Sequence, residues 1–258
     1  MTRKLPVLGL LAAMSFWMPA AIMPTQAQAD SLTIFSGGAV KAGLQEAAAL
    51  YEKEKGTKVT IEYHPMGPLT KLLAEGAKPD LVILTGDVWD DVVAKKLVEP
   101  ASKTEAGRVA IGVAVHENAP SPDISTPEAF KAALLAAKSV VYIDPTRGTS
   151  GKHLDGVLRQ LGILEAVNAK TKFGSGGYVV EPVGRGEIEF GMHQITEILP
   201  VKGVKLVGPL PASLQKETLY YGATTPNTRN RADATAFLAF LRTPAVRKEF
   251  ASRGFMEK

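Results

Sequence analysis

Short apolar runs alternate with amphipathic stretches along most of the chain. Val59 and Ile61 alternate with polar neighbours, which indicates a strand with one buried face. Leu44 and Tyr51 recur at helical spacing, and Gly56 follows at a position that favours glycine as a helix end. This part of the chain predicts three strands, each followed by a helix: strands 32–35, 58–63 and 80–84, and helices 39–55, 68–75 and 88–96.

The second part of the chain continues this alternation. Residues 108–115 are small and apolar, and they predict a strand that crosses from one lobe to another. Pro127 suits the first position of a helix, and Gly162 suits the end of another. The pattern predicts helices 126–137, 152–161, 230–242 and 244–253, and strands 139–143, 187–192, 205–207 and 218–223.

Strands that alternate with helices predict an α/β fold, with mainly parallel sheets flanked by helices. Two such units, separated by one crossing and one late return, form two discontinuous lobes with a cleft between them. We expect a first lobe of residues 30–112 plus 218–258, and a second lobe of residues 113–217. Ligands of parallel α/β sheets bind where strands end and helices begin, so we expect the site in the cleft.

Residues 1–29 have the three-part pattern of a secretory signal peptide. A basic start, Thr2-Arg3-Lys4, precedes an apolar stretch, and Ala27-Gln28-Ala29 places small residues where a signal peptidase cuts. The alternative is a membrane anchor. Three prolines interrupt the apolar run, however, and a spanning helix needs about 20 apolar residues. We expect cleavage after Ala29 and a periplasmic mature protein.

Charge and cysteine content exclude other classes of protein. The chain has 30 Lys and Arg against 26 Asp and Glu, and removal of the signal peptide takes away Arg3 and Lys4. The remaining basic residues are scattered, whereas a nucleic-acid-binding protein has a basic stripe or patch. The chain has no cysteine, which excludes disulfides, thiol chemistry and attachment of a lipid at a cysteine.

Several predicted turns join the end of a strand to the start of a helix. The first turn of a helix has unpaired N–H groups and partial positive charge, so several such turns in one cleft make an anion site. Glycines there let the backbone approach a ligand, although a tight turn alone explains any single one. The candidate ligand-binding residues are Gly38, Ala39, Met66, Gly67, Gly86, Arg147, Thr149, Ser150, Gly176 and Gln194.

Two side chains in these turns have two interpretations each. Arg147 can clamp a carboxylate or phosphate through two parallel hydrogen bonds, or it can be a solvated loop residue. His193 follows a predicted strand and can reach the cleft from the second lobe, or it can be a surface or packed histidine.

The sequence contains no strong catalytic signature. Gly148-Thr149-Ser150-Gly151 does not match Gly-x-Ser-x-Gly, and no phosphate-binding loop motif occurs. The four histidines are far apart and lack zinc-ligand spacing. We therefore expect no metal, no cofactor and no enzyme activity. A secreted enzyme on a similar scaffold is the alternative, and it would need a nucleophile and a base that sequence spacing does not show.

Six segments occur in an informative order: LTIFSGGAV (32–40), YEKEKGTKV (51–59), KPDLVI (78–83), IDP (143–145), RGEIEFG (185–191) and GVKLV (203–207). Their order and spacing resemble those of periplasmic binding proteins of the molybdate-binding type, which belong to the type II receptors for ABC importers. The resemblance covers essentially the whole mature chain. It implies a two-lobed type II fold and a role in transport.

The resemblance also implies where a ligand would sit. In that family, hydroxyls in the first two strand-to-helix turns hold an oxyanion, and the matching positions here are Ala39 and Met66, which carry none. The resemblance places Ser150 and Gly176 at the cleft, and it places Gln194 where a tyrosine is usual.

Together these features indicate an extracytoplasmic solute-binding protein that captures a small anion for an inner-membrane ABC permease. We expect a monomer that binds no nucleic acid. Arg147 and Gln194 favour a small organic carboxylate as the ligand. The alternatives are a molybdate- or tungstate-type oxyanion, a secreted α/β enzyme, and a receptor that presents its ligand to a sensor instead of a permease.

Overall fold

The chain forms two five-stranded sheets, each flanked by helices. The structure, a computed structural model, describes Met1 and residues 31–256; the rest of the predicted signal peptide, residues 2–29, lies outside the described residues. No helix in that described part is long and apolar enough to cross a membrane. The two sheets confirm the predicted two-lobed α/β fold class.

The elements follow one another in a regular alternation. The strands are β1 (Ser31–Ser36), β2 (Lys58–Tyr63), β3 (Leu81–Thr85), β4 (Thr104–Val109), β5 (Ile111–His116), β6 (Val140–Ile143), β7 (Thr171–Gly174), β8 (Phe190–Gln194), β9 (Val204–Pro209) and β10 (Thr218–Thr224). The helices are α1 (Lys41–Lys55), α2 (Met66–Ala74), α3 (Trp89–Ala94), α4 (Pro127–Ala136), α5 (Thr149–Gln160), α6 (Leu164–Asn168), α7 (Glu181–Gly184), α8 (Ile195–Ile198), α9 (Arg231–Phe240) and α10 (Pro244–Ser252). Three short 3-10 helices cover Gly38–Val40, Gly86–Val88 and Pro100–Ser102.

The two sheets have the same arrangement of strand directions. The first has the order β2-β1-β3-β10-β4, and the second has the order β7-β6-β8-β5-β9. In the first sheet β1 pairs in parallel with β2 and β3, while β10 runs antiparallel to β3 and β4. In the second sheet β6 pairs in parallel with β7 and β8, while β5 runs antiparallel to β8 and β9. Four strands of each sheet thus share one direction, and both sheets are mixed.

The predicted crossing strand 108–115 is two strands that meet at Ala110. β4 pairs with β10 in the first sheet, and β5 pairs with β8 and β9 in the second. One continuous run of small and apolar residues therefore contributes a strand to each sheet. Every residue in that run except Arg108 is buried, which is why the run shows no break in the sequence pattern. The change of sheet comes two residues before the lobe boundary that the sequence predicts, and the chain returns to the first sheet between β9 and β10.

Two helices begin earlier than the sequence predicts. α2 begins at Met66, which puts Pro68 at its third position, where a missing N–H costs no intrahelical hydrogen bond. α5 begins at Thr149 and not at Lys152, so Thr149 and Ser150 lie in its first turn. The short elements β7, α6 and α8 were not predicted, because four or five residues show too little periodicity to reveal a type.

Each lobe has its own apolar core. In the first, Tyr51 of α1 is 1% exposed and packs edge-on against Phe237, with ring centroids 5.1 Å apart. In the second, Phe130 of α4 and Phe190 of β8 are buried with their ring centroids 6.4 Å apart. Separate cores let the lobes keep their own structure while the cleft between them holds polar groups.

The short helix α8 joins the lobes at the base of the cleft. It follows β8 of the second lobe, and the N–H of Ile195 donates to the carbonyl of Ala110 at the crossing, 2.9 Å away. The Thr196 hydroxyl, which is buried, donates to the carbonyl of Ala39 in the first lobe. The end of β8 is therefore held against the first turn of the chain.

Close packing at the start of α5 gives a test of this arrangement. A Cβ on Gly151 would overlap the carbonyl oxygen of Ile143, and backbone cannot move aside as a side chain can. We expect Gly151→Ala to lower the free energy of unfolding by about 1–3 kcal/mol. Gly156, in the same helix, faces open space, so Gly156→Ala is the control and should raise stability by about 0.4–1 kcal/mol. Urea denaturation measures both changes, and equal effects would contradict the close approach.

Candidate ligand-binding site

A cavity of about 280 Å³ lies between the lobes. The turns after β1 and β2 line it from the first lobe, and the turns after β6, β7 and β8 line it from the second. Tyr220 of β10 completes the lining. Three helices, α1, α2 and α5, begin at or next to this lining, so their partly positive N-terminal ends converge on it.

Most of the candidate residues line this cavity, and three do not. Those that line it are Gly38, Ala39, Met66, Thr149, Ser150, Gly176 and Gln194. Gly67 is exposed on α2 and faces open space. Gly86 lies outside the lining, where a Cβ would come within 3.2 Å of the Tyr221 ring.

Arg147 also lies outside the cavity lining. Its side chain is exposed, and its Nε donates to the carbonyl of Ser175, 3.1 Å away. The guanidinium thus ties the turn after β6 to the turn after β7. Arg147 is therefore not part of the lining, and its role as a clamp for the ligand stays a prediction.

The cation at the cavity is Lys41, which sequence reasoning missed. Among the described residues that line the cavity, it is the single Lys or Arg. Its Nζ lies 5.6 Å from the ring centroid of Tyr63 and 5.4 Å from that of Tyr178, which come from opposite lobes. Lys41 follows the Gly37-Gly38 turn by three residues. That position was a usable signal, but the helical pattern made the lysine look like part of a solvated face.

A chain of buried polar side chains runs along the second-lobe wall. The Nε2 of His193 lies 3.0 Å from Oε2 of Glu197 and 3.0 Å from the carbonyl oxygen of Gly177. The Nδ1 of His193 lies 3.4 Å from Oγ of Ser150. Ser150, His193 and Glu197 are 3%, 2% and 6% exposed, so the chain is almost fully withdrawn from water.

This arrangement brings together a hydroxyl and a base that sequence spacing does not show. Ser150 and His193 are 43 positions apart in sequence, so spacing could not bring them together. His193 and Glu197 are four positions apart, but His193 lies in a strand and Glu197 lies in a four-residue helix. The sequence predicts a strand that ends at residue 192, so it does not indicate that His193 and Glu197 lie close together.

Glu197 reaches the cavity because the first turn contains glycine. A Cβ on Gly38 would lie 2.9 Å from Oε1 of Glu197, which is too close for any other residue without movement. The close approach of a carboxylate is thus one reason for glycine here, since a Cβ would displace the end of the Glu197 side chain, whereas the sequence suggested the approach of a ligand.

The tyrosines of the cavity keep their protons at neutral pH. Burial, followed by the charge of Glu197, raises the pKa of Tyr220 well above 10. Burial also raises the pKa of Tyr63 and of Tyr178. The hydroxyl of Tyr63 is buried and has no hydrogen-bond partner among the described residues, so it can donate to a ligand.

The side chain of Gln194 has one polar atom without a hydrogen-bond partner among the described residues. Its Nε2 lies 3.3 Å from Oγ1 of Thr218, while its Oε1 is buried without a partner within the described part of the chain. The described residues contain no group of three or more His, Cys, Asp or Glu placed to hold a metal ion. The cavity therefore offers one lysine, several neutral donors and acceptors, and a buried histidine–glutamate pair.

Comparison with known proteins shows one family over nearly all of the described residues. The sequence model of a family described as bacterial extracellular solute-binding protein matches residues 32–256. An aconitate isomerase from Pseudomonas sp is 33% identical, with 97% of this chain and 96% of that protein covered. The molybdate-binding protein ModA of Escherichia coli (strain K12) is 26% identical, with both chains covered in full.

A solved structure shows the same fold. The periplasmic molybdate-binding protein of Azotobacter vinelandii superposes with a TM-score of 0.75 at 15% identity, covering 88% of this chain and 99% of that chain. The similarity confirms the type II fold that the sequence resemblance implied.

The raised tyrosine pKa values predict how stability depends on pH. The native state holds these protons more tightly than the unfolded chain, so stability is complete below about pH 10 and falls as the pH rises through the raised values. Tyr220→Phe should reduce this alkaline loss. Thermal unfolding together with phenolate absorbance, measured from about pH 9 upward, checks both points. A variant with the same alkaline loss as the native chain would contradict the role of Tyr220.

Proposed function

The chain belongs to the bacterial extracellular solute-binding proteins, and on that premise we propose that it captures a small organic carboxylate between its lobes. Solute-binding proteins of this type serve ABC importers and deliver a small ligand to a membrane permease. We further propose that this chain works in the periplasm as a monomer, after removal of residues 1–29.

The size of the cavity carries this proposal. At about 30 Å³ for each water, a volume of about 280 Å³ holds roughly nine waters. A tetrahedral oxyanion has five heavy atoms and would leave much of this space unfilled. A carboxylic acid with several carbons fits the volume better.

The first two turns also favour a carboxylate over an oxyanion. Ala39 has no hydroxyl, and its carbonyl already accepts from Thr196. Met66 has only its sulfur, which accepts from the N–H of Thr85 at 3.4 Å. Each hydrogen bond to a charged ligand is worth about 1.5–3 kcal/mol, so two missing hydroxyls weaken oxyanion binding by roughly two to four orders of magnitude.

The similarity to known proteins supports a carboxylate as well. The relative at 33% identity is named for acting on aconitate, an unsaturated tricarboxylate, whereas the relative named for molybdate is 26% identical. In this proposal Lys41 is the cation that pairs with a ligand carboxylate, the role that the sequence suggested for Arg147. The N-terminal end of α5 and the Tyr63 hydroxyl supply further donors.

Binding measurements test the ligand and the lysine together. We expect trans-aconitate or citrate to raise the melting temperature, and molybdate to raise it little, because a ligand stabilises only the state that binds it. Lys41→Met should weaken carboxylate binding by about 10- to 150-fold. Lys53→Met, on the exposed face of the same helix, removes the same charge away from the cavity and should leave affinity unchanged. A large shift with molybdate alone would overturn the proposed ligand.

We propose isomerisation of the bound acid as a second candidate function, favoured by the buried pair of His193 and Glu197. The carboxylate of Glu197 can take an allylic proton from an unsaturated acid, the double bond then shifts by one carbon, and the proton returns to the other end. His193 donates to the same carboxylate and holds it in place, at a distance of 3.0 Å. Such proton transfer contributes about 10²- to 10⁴-fold to a rate.

Proton NMR tests this second candidate. We expect trans-aconitate in D2O to change its double-bond geometry and to take up deuterium at the carbon that exchanges its proton. Glu197→Gln should lower that rate by at least about 100-fold while the acid still binds. If the native protein binds trans-aconitate without isomerisation or deuterium exchange, the second candidate function is wrong and only the receptor function remains.

A further inference from the structure

The protonation of His193 follows from its contacts. Its Nε2 faces two acceptors, the carboxylate of Glu197 and the carbonyl of Gly177, each at 3.0 Å. Neither group can donate, so Nε2 carries a hydrogen whether the ring is neutral or charged. The proton that comes and goes is the one on Nδ1.

That proton decides what Ser150 can offer to a ligand. Nδ1 of His193 lies 3.4 Å from Oγ of Ser150, which lines the cavity in the first turn of α5. When Nδ1 is bare it accepts, and the Ser150 hydrogen is directed away from the cavity. When Nδ1 is protonated it donates, and the Ser150 hydroxyl is released to donate into the cavity, where an anion would lie.

The charges around His193 act in the same direction. With neutral imidazole, Glu197 leaves the buried chain with a negative charge next to the anion site. Protonation cancels that charge, so an anion enters a site without net repulsion. Five other titratable groups line the cavity with His193 and Glu197: Lys41 on α1, Tyr63 at the end of β2, His64 after β2, Tyr178 after β7, and Tyr220 on β10.

We infer that His193 is a positioning residue that acts through Ser150, and that capture of an anion takes up one proton at Nδ1 of His193. This inference rests on the proposed function, namely that the cavity takes an anion. Uptake of one proton on capture means that affinity falls as the pH rises, by up to about tenfold for each pH unit. Turnover of the ligand is not required.

Isothermal titration calorimetry tests this coupling with two probes, trans-aconitate and molybdate, which stay fully ionised from about pH 6.5 to 8.5. Titrations in pairs of buffers with different ionisation enthalpies count the protons taken up. We expect uptake to approach one proton in the upper part of this range. His193→Gln should abolish it, while His116→Gln, on β5 outside the cavity lining, should not change it.

Ser150→Ala separates positioning from a merely structural role. It removes the hydroxyl that donates to the bound anion once Nδ1 is protonated, so it should weaken binding and lower the proton uptake in the upper part of the pH range. An affinity that does not change with pH, or proton uptake that persists in His193→Gln, would overturn the coupling. If molybdate binds with proton uptake and trans-aconitate does not bind, the carboxylate proposal is wrong and the proton coupling stands. If neither probe binds, the carboxylate proposal and the proton coupling are both wrong.

Discussion

The attachment of α8 to the first lobe is the contact on which the cavity depends. The hydroxyl of Thr196 and the N–H of Ile195 bind carbonyls of Ala39 and Ala110, so the end of β8 is fixed against the first turn and the crossing. That contact places Glu197 of α8 next to Gly38 of the first lobe. The end of the polar chain on the second-lobe wall is thus fixed to the first lobe by backbone carbonyls, which are less mobile than side chains.

Groups of opposite charge lie at the same cavity. Converging helix ends and Lys41 favour an anion, while the buried carboxylate of Glu197 opposes one. A buried charge is costly unless it is paired, and His193 pairs it. In the proposed function, an anion must therefore make enough contacts with the remaining donors to outweigh the charge of Glu197. A large acid with several polar groups makes more such contacts than a compact oxyanion.

The order of strands and helices was predictable because burial imposes clear periods on long elements such as α1 and β2. Seven of the ten candidate residues line the cavity between the lobes because they were chosen at the ends of strands, and their role in binding stays a prediction. Side-chain direction was not predictable, since Arg147 and Lys41 both occupy loops or first turns and only their tertiary partners distinguish them. The contact of Ser150 with His193 joins distant segments, which no local pattern reports.

The position of β10 within the first sheet constrains the order in which the chain can fold. This strand comes from residues 218–224, yet it lies between β3 and β4 and supplies the partner of both. The second lobe is one continuous segment and can form from contacts within itself, while the first sheet stays incomplete until the end of the chain has been made. Long-range pairing of this kind slows folding. In a family whose members work outside the cell's cytoplasm, a late-closing first lobe keeps the newly made chain open for longer.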